Sequence, residues 1–174
     1  MIRVSFVIRK FQETDAQQIA TLFHDTVHSV NVRDYSKEQV DAWAPRVSGS
    51  EQQARVARFN KSLGACISYV ADQEGVILGF ADLSEQGYLD FLYVHKDYQR
   101  QGVASALLNL LEGEAHQRGL KQIWANVSIT AKPFFEGHGY GMIQPQTVKV
   151  GGVSMQNFKM AKVFKDDTTR GRDG

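Results

Sequence analysis

The most constraining feature of the sequence is a change in hydrophobic period near its centre. The segment YLDFLYV (88–94) has the aromatic and apolar content typical of a strand. The residues after it place apolar side chains at helical spacing, which predicts a helix over 102–118 that stops at Gly119. QIWANV (122–127) is again typical of a strand. Because the three elements are so close in sequence, they predict a right-handed crossover between two parallel neighbouring strands.

The rest of the chain supplies further elements around this unit. Residue content and spacing predict a strand over 3–9 followed by a helix, one or two short helices between 31 and 59, strands over 66–72 and 76–83, a short helix from about 130 to 138, and strands near 140–150 and 153–161 joined at Gly151-Gly152. A length of 174 residues suits one domain with a single core. We therefore predict one α/β (α+β) domain over 1–162 and a polar tail over 163–174.

Charge and cysteine usage limit the classes of protein to which the chain can belong. Twenty Lys and Arg against nineteen Asp and Glu give a formal charge of +1, which creates no global field toward nucleic acid or an anionic membrane. The single cysteine, Cys66, cannot form an internal disulfide, and no Cys/His cluster has metal-ligand spacing. No apolar run approaches the ~18 residues of a membrane span. We expect a cytoplasmic protein without a metal, and neither nucleic acid nor a membrane as its partner.

The segment YVHKDYQRQGVASALL (93–108) takes the end of a strand through a short loop into a helix. The first N–H groups of a helix have no intrahelical acceptor and lie at the positive end of its dipole, so they form a site for pyrophosphate. The small Gly102 and Ala104 let an anion approach the backbone, and Arg100 adds a positive charge. The alternative is an ordinary turn in which Gly102 only relieves strain. The segment is neither a Walker A loop nor a G-x-G-x-x-G fingerprint, which disfavours nucleotide-binding functions.

Two segments carry a resemblance to a known family. Gln99-Arg100-Gln101-Gly102-Val103-Ala104 matches the hallmark of the GNAT superfamily of N-acetyltransferases, which is Gln or Arg, two residues, Gly, one residue, and Gly or Ala. AKPFFEGHGY (131–140) is similar to the family's short helix after the next parallel strand. The resemblance implies a mixed six- to seven-stranded sheet with about four flanking helices and a central parallel pair splayed into a cleft. It also implies an enzyme that transfers the acetyl group of acetyl-CoA to an amine.

The resemblance also implies positions for the cosubstrate. Backbone groups of Leu92 and Val94 would pair with the pantetheine arm, and Asn126 would contact it. The amides of residues 101–105 would hold the pyrophosphate beside Arg100. The full predicted acetyl-CoA-binding set is Leu92, Tyr93, Val94, Gln99, Arg100, Gln101, Gly102, Val103, Ala104, Ser105, Asn126 and Phe135.

Catalysis requires a group that takes a proton from the amine. An alkylamine has a pKa of about 10 and must lose a proton before it attacks a thioester. Strand alternation places Asp90 on one face with Tyr88 and Leu92, as the sole carboxylate among largely apolar neighbours, where partial desolvation would raise its pKa. Asp90 is therefore predicted to be the base or the amine anchor, although it could instead pair with an arginine. Tyr88, closer to the place where some relatives carry a Glu, and an ordered water are alternatives.

The usual proton donor of the family is absent from its position. Where relatives often carry a Tyr that protonates the departing thiolate, this chain has Phe135. Tyr140, Tyr93, His138 or water could substitute, and we include Tyr140 with Asp90 and Tyr88 in the predicted catalytic set. A thiol of pKa about 8.5 also leaves fairly well unaided.

The resemblance implies that the acceptor amine lies over segment 28–60, because the first helices of the family usually wall that side. His28, Asn31, Tyr35 and Trp43 could supply an aromatic and polar pocket there. The sequence leaves the amine open, as a small molecule or a peptide, and is compatible with a monomer or a homodimer. A direct transfer in a ternary complex is predicted. The rival is a non-catalytic acyl-CoA sensor or interaction module of the same fold, which the loss of the family's Tyr makes credible.

Overall fold

The crossover predicted from the sequence organises the structure. In the computed structural model, which describes residues 4–166, strand β4 (Tyr88–Leu89) continues through β5 (Leu92–Val94) into helix α4 (Val103–Gln117), and β6 (Gln122–Ser128) returns beside β4. Strands β4 and β6 are parallel, with Tyr88 opposite Trp124. The predicted parallel pair is therefore confirmed.

The remaining elements precede and follow this unit. They are β1 (Val7–Lys10), α1 (Ala16–Ser29), α2 (Lys37–Trp43), α3 (Ser50–Gly64), β2 (Ile67–Gln73), β3 (Val76–Leu83), α5 (Lys132–Gly137), β7 (Gly141–Val150) and β8 (Val153–Val163). The first predicted strand starts later than expected, and residue 3 lies outside the described residues. Of the predicted short helices, the second is longer and runs to Gly64. Most of the predicted tail, from residue 167, also lies outside the described residues.

The mixed α/β class predicted from the sequence is confirmed, but the strand expected over 88–94 is divided. Its first part, β4, belongs to a sheet with order β4-β6-β8-β7, and its second part, β5, belongs to a sheet with order β1-β2-β3-β5. Residues 4–166 thus form eight strands in two sheets and five α-helices, where one sheet of six to seven strands and about four helices were expected. The two sheets separate between Leu89 and Leu92, which opens the predicted cleft.

Helix α4 covers the face of the first sheet next to this separation. Its buried Val103 and Leu107 pack directly over Gly79 of β3. A Cβ atom at Gly79 would lie 2.8 Å from Val103 Cγ1 and 2.9 Å from the Tyr93 carbonyl oxygen, so the helix approaches the strand as closely as glycine allows. This contact fixes the start of α4 against β5. No helix within residues 4–166 is long and apolar enough to cross a membrane.

Candidate active site

A cleft of about 820 Å³ opens where the two sheets separate. Strand β5, the start of α4, the end of β6 and the segment around α5 form its walls, and the end of α1 borders it. Apart from Gln101, the whole predicted acetyl-CoA-binding set lines this cleft. Its volume falls in the usual range for a ligand site, which is about 300–1,000 Å³.

The backbone of β5 offers free hydrogen-bonding groups to the cleft. The Phe91 carbonyl accepts from Asp82 N–H and the His95 N–H donates to Leu78, so alternate residues of this segment are bonded to β3. In an antiparallel pair the intervening residues turn their backbone groups to the opposite side. The backbone N–H and C=O groups of Leu92 and Val94 therefore point toward the cleft. The predicted pairing with an extended ligand requires this orientation.

The Val94 carbonyl is occupied by side chains of the protein. It accepts hydrogen bonds from Thr26 Oγ1 at 2.9 Å and from Gln99 Nε2 at 2.7 Å. Because both acceptor positions of this oxygen are filled, the groups left for a ligand on β5 are the N–H of Val94 and both backbone groups of Leu92. Gln99, which was expected to bind the cosubstrate, holds the loop against β5.

The start of α4 faces the cleft without a cap. Gly102 is the N-cap residue, with φ 85°, and no side chain caps this end of the helix. The first intrahelical bond runs from Ala106 N–H to the Gly102 carbonyl, so the N–H groups of Val103, Ala104 and Ser105 have no intrahelical acceptor. Open space surrounds the Gly102 Cα, and an anion can approach the backbone there.

The side chain of Ser105 is paired with a histidine of the facing segment. Ser105 Oγ lies 3.1 Å from His138 Nε2, and His138 Nδ1 lies 2.9 Å from the Phe134 carbonyl. In a neutral imidazole, Nδ1–H donates a hydrogen bond to that carbonyl, and Nε2 accepts a hydrogen bond from the Ser105 hydroxyl. The pairing connects the first turn of α4 to the end of α5, and Ser105 keeps its backbone N–H for a ligand.

Asp90 also lines the cleft, in the interval between β4 and β5. Tyr88 Oη donates to its carboxylate at 3.2 Å, and Asn126 Nδ2 donates to Tyr88 Oη at 3.4 Å. Partial burial raises the pKa of Asp90 and the hydrogen bond from Tyr88 opposes the rise, while the side chain stays accessible to solvent. Burial and the Asp90 charge raise the pKa of Tyr88 to about 12, so its hydroxyl stays a donor at neutral pH.

A second carboxylate lies beside Asp90, so the expectation that Asp90 is the sole carboxylate among apolar neighbours is wrong. Asp82 of β3 is 1% exposed, and its Oδ1 accepts the N–H groups of Asp90 at 3.1 Å and Phe91 at 2.7 Å. Burial raises its pKa to about 7, with the Asp90 charge adding to the effect and the N–H groups opposing it. Asp82 thus holds the backbone interval from which Asp90 projects.

Two aromatic residues predicted near the departing thiol occupy different environments. Phe135 lines the cleft and packs edge-on against Tyr140, with ring centroids 5.1 Å apart. Tyr140 does not line the cleft, and its hydroxyl donates to Glu112 at 3.0 Å. Burial and the Glu112 carboxylate raise the pKa of Tyr140. This geometry removes Tyr140 from the groups that face the cleft, whereas Tyr93 lines it.

The four residues predicted to contact the acceptor divide into two pairs. Asn31 and Trp43 line the cleft, and Asn31 is 7% exposed. His28 instead lies with Nε2 2.7 Å from the Ala44 carbonyl, and Tyr35 donates to the Gln156 carbonyl at 2.6 Å. His28 therefore joins α1 to the residue after α2, and Tyr35 joins the segment before α2 to the second sheet. Neither residue lines the cleft.

Comparison with known proteins gives the family. A sequence profile of the acetyltransferase (GNAT) domain matches residues 31–162. The chain belongs to the GNAT family of acetyltransferases. It is 34% identical over 154 residues to the uncharacterized N-acetyltransferase YafP of Escherichia coli, covering 88% of this chain and 93% of that protein.

Solved GNAT structures share the whole fold. A GCN5-related N-acetyltransferase from Rhodopseudomonas palustris has a TM-score of 0.83 and 32% identity, covering 94% of this chain and 99% of that one. The PaiA N-acetyltransferase of Thermoplasma acidophilum, solved in complex with coenzyme A, has a TM-score of 0.69 and 18% identity, covering 92% and 100%. The family recognised from the sequence and its acetyltransferase fold are thereby confirmed.

Several residues of this GNAT cleft were missed by sequence reasoning. Thr26 and Thr130 line it, and Thr130 Oγ1 is buried without a hydrogen-bond partner within residues 4–166. A signal existed for Thr130, because it follows directly on a strand whose end borders the predicted cleft. Asp82 also had a signal, since it is a carboxylate within the apolar run VILGFADL (76–83). No sequence signal marked Thr26, because it lies in an amphipathic helix among residues whose spacing indicates core packing.

Proposed function

We propose that this GNAT protein is an acetyl-CoA-dependent N-acetyltransferase that acetylates an amine of a small molecule or peptide by direct attack in a ternary complex. The observation that carries the proposal is the uncapped start of α4, which opens onto a cleft whose other wall is the unpaired backbone edge of β5. An anion site and a strand edge in one cleft suit a ligand with a pyrophosphate and an extended amide-bearing arm.

In this proposal, the acetyl-CoA pyrophosphate lies on the N–H groups of residues 102–105, beside the exposed Arg100. The pantetheine arm pairs with Leu92 and the Val94 N–H. Asn126 borders the same cleft from β6. Its side-chain oxygen Oδ1 accepts a hydrogen bond from Gln146 Nε2 at 2.9 Å. That bond holds the Asn126 side chain in place at the cleft edge. Two structural relatives support this assignment, because the Thermoplasma acidophilum protein was solved with coenzyme A and the YncA protein of Salmonella typhimurium with acetyl-CoA.

The chemical step needs a path for one proton. The amine nitrogen attacks the thioester carbonyl carbon, the C–S bond breaks as the electron pair goes to sulfur, and the nitrogen loses a proton. Asp90 accepts that proton directly or through water, and its raised pKa suits a base better than a fully solvated carboxylate would. Tyr88 donates to Asp90 and so orients its carboxylate.

The thiolate leaves without a dedicated tyrosine of the usual kind. Phe135 has no proton to donate, and the Tyr140 hydroxyl is bonded to Glu112. Tyr93 lines the cleft, and burial raises the pKa of its phenol, so it keeps its proton at neutral pH. Water or Tyr93 is therefore the proton source in this proposal. A thiol pKa of about 8.5 makes the requirement a weak one.

The transferase domain is proposed to span residues 1–162, and the protein is proposed to act in the cytoplasm as a monomer or homodimer. Asn31 and Trp43 are the proposed acceptor contacts, because both line the cleft. The second candidate is an acyl-CoA sensor without turnover. The replacement of the family's usual tyrosine by the buried Phe135 favours this alternative.

The test compares Gly102→Glu with Gly119→Glu. Both glycines have positive φ, at 85° and 72°, and open space where a Cβ would lie, so the two changes impose similar backbone strain and the same charge. Only Gly102 lies at the cleft. Acetyl-CoA affinity measured by calorimetry should fall by about 100-fold or more in Gly102→Glu and change by less than about 2-fold in Gly119→Glu. Equal affinities in the two folded variants would reject the pyrophosphate assignment.

Turnover separates the two candidate functions. Thiol release from acetyl-CoA would be followed across panels of small amines, polyamines and peptide N-termini. Amine-dependent release, lost in Gly102→Glu and kept in Gly119→Glu, is the expected result. Tight acetyl-CoA binding without release for any of these amines would favour the sensor.

A further inference from the structure

A second cavity, of about 330 Å³, lies between α1, the segment that follows α2 and the first half of α3. Its lining includes His24 and Asp25 from α1, Arg46 from the connecting segment and Arg55 from α3. It shares no lining residue with the acetyl-CoA cleft. The proposed transfer reaction uses none of these side chains.

Arg55 is a buried guanidinium without a carboxylate. The residue is 6% exposed, and its Nη2 donates to the Pro45 carbonyl. Within residues 4–166, no Asp or Glu oxygen lies within 4.0 Å of it, since the arginine ion pairs there involve Arg9 and Arg118. Burial lowers the pKa of Arg55, and the nearby Arg58 charge adds to the effect. Buried arginines are normally paired, so this one lacks its usual partner.

His24 supplies a second polar group without a partner. Its Nδ1 lies 3.2 Å from Asp25 Oδ1, and its ring packs on His28 with centroids 4.4 Å apart. The other ring nitrogen, Nε2, is buried and has no hydrogen-bond partner in the described part of the chain. Because Nδ1–H faces the Asp25 carboxylate, Nε2 of the neutral ring is an acceptor, and the donors available to an anion are the two arginines of the lining.

The charge of the lining favours an anion. Arg46 lies exposed at the rim, and no carboxylate within 4.0 Å pairs with it among residues 4–166. Asp25 is the one acidic residue of the lining, and its side chain is 42% exposed to solvent. Two guanidinium groups therefore face one solvated carboxylate. Guanidinium forks match the paired oxygens of phosphate and carboxylate.

We propose that this cavity binds a small oxyanion, a phosphate or a carboxylate, between Arg55 and Arg46. The anion supplies the negative partner that Arg55 lacks within the protein. Its site adjoins the segment that begins right after Trp43, a residue of the cleft wall. The two sites share no lining residue, so an anion and acetyl-CoA do not compete for the same groups.

The test is a calorimetric titration of the full chain with inorganic phosphate, and separately with acetate, at constant ionic strength. Arg46→Gln removes the charge of an exposed side chain, so the variant should still fold. Anion affinity is expected to fall by about 10-fold. Arg58→Gln makes the same charge change on α3 outside the lining. The Arg58 charge reaches Arg55, so affinity should fall, but by less than in Arg46→Gln. Arg55→Gln, where circular dichroism shows it folded, should abolish binding.

A further variant separates this site from the acetyl-CoA cleft, which also suits an anion. In Arg100→Gln, phosphate binding should be unchanged and acetyl-CoA binding weakened. Tighter binding of phosphate than of acetate, or the reverse, identifies the preferred oxyanion. The proposal is overturned if neither anion gives a saturable signal, if Arg58→Gln weakens binding as much as Arg46→Gln does, or if Arg100→Gln is the variant that loses it.

Discussion

The buried carboxylate of Asp82 accepts the backbone N–H of Phe91 at 2.7 Å, at the point where the chain passes from one sheet to the other. The same oxygen accepts the N–H of Asp90 at 3.1 Å. A strand that leaves its neighbours exposes backbone donors, and these must find other acceptors when they are buried. Asp82 therefore stabilises the interruption that opens the cleft.

This arrangement predicts an unusual dependence of stability on pH. The pKa of Asp82 rises from 3.8 to about 7 on folding, so between these values the folded protein holds a proton that the unfolded chain has released. The free energy of unfolding therefore falls as pH rises from about 4 to about 7, by at most about 4 kcal/mol from this group. Urea denaturation across this range should show the slope, and Asp82→Asn should remove most of it. Burial also raises the pKa of Asp90, so a smaller part of the slope should remain.

The slope is the decisive quantity, because the amide in Asp82→Asn also changes absolute stability. Asp97→Asn is the control, since this aspartate is 64% exposed. It should keep the slope of the unmodified protein. A slope in Asp82→Asn as steep as in the unmodified protein would assign the titration to another group.

The contact between α4 and β3 predicts opposite effects for two glycines. In Gly79→Ala, the new methyl group would overlap Val103 and the Tyr93 carbonyl, so stability should fall by about 1–3 kcal/mol. In Gly113→Ala, nothing lies near the new methyl group, and the better helix propensity should stabilise α4 by about 0.5–1 kcal/mol. Chemical denaturation measures both. Equal changes in the two variants would show that α4 does not approach β3 so closely.

The sequence predicted that Gly102 begins α4 next to a cleft because this part of the fold is local. Gly102, the helix behind it and the strand before it lie within one continuous segment, and their order implies their geometry. The division of the strand over 88–94 was not predicted. It depends on Asp82, which lies on another strand and acts through its side chain. No periodicity within 88–94 records such a long-range hydrogen bond.

The acceptor side was predicted only in part for a similar reason. His28, Tyr35 and Trp43 look alike in the sequence, as aromatic residues in a polar segment. Their roles are set by distant partners, such as the Gln156 carbonyl that accepts from Tyr35. Tyr140 was likewise expected at the reaction centre, but its hydroxyl is directed by Glu112 of α4.

An ion-pair network joins the first strand to the start of the first helix. It predicts a large loss of stability when one of its carboxylates is replaced. Arg9 forms two hydrogen bonds of 2.8 Å to Asp15, which is 5% exposed, and a third of 2.8 Å to Asp72. Asp15→Asn would leave the guanidinium with a weakened partner, and unfolding free energy should fall by about 2–4 kcal/mol. The exposed pair Lys96–Asp97 is the comparison, and Asp97→Asn should cost less than about 1 kcal/mol.

The last prediction concerns the proton path at Asp90 and depends on the proposed transferase activity. Asp90→Asn keeps the shape of the side chain and a contact for Tyr88 but removes the base. Turnover should fall by roughly 10²–10⁴-fold while acetyl-CoA affinity stays near normal. Phe135→Tyr serves as the comparison, because restoring a donor beside a fairly good leaving group should leave the rate unchanged or slightly higher.

The pH profile distinguishes a base from a residue that only holds the amine. In the unmodified protein, activity should rise with pH as the Asp90 carboxyl loses its proton, at a pKa above the ordinary aspartate value because burial disfavours the charge. Asp90→Asn should lose that limb and keep only the rise caused by deprotonation of the amine. If Asp90 only anchors the amine, Asp90→Asn should raise KM and leave the shape of the kcat profile unchanged. An unchanged rate and profile in Asp90→Asn would reject Asp90 as the base and direct attention to Tyr88 or water.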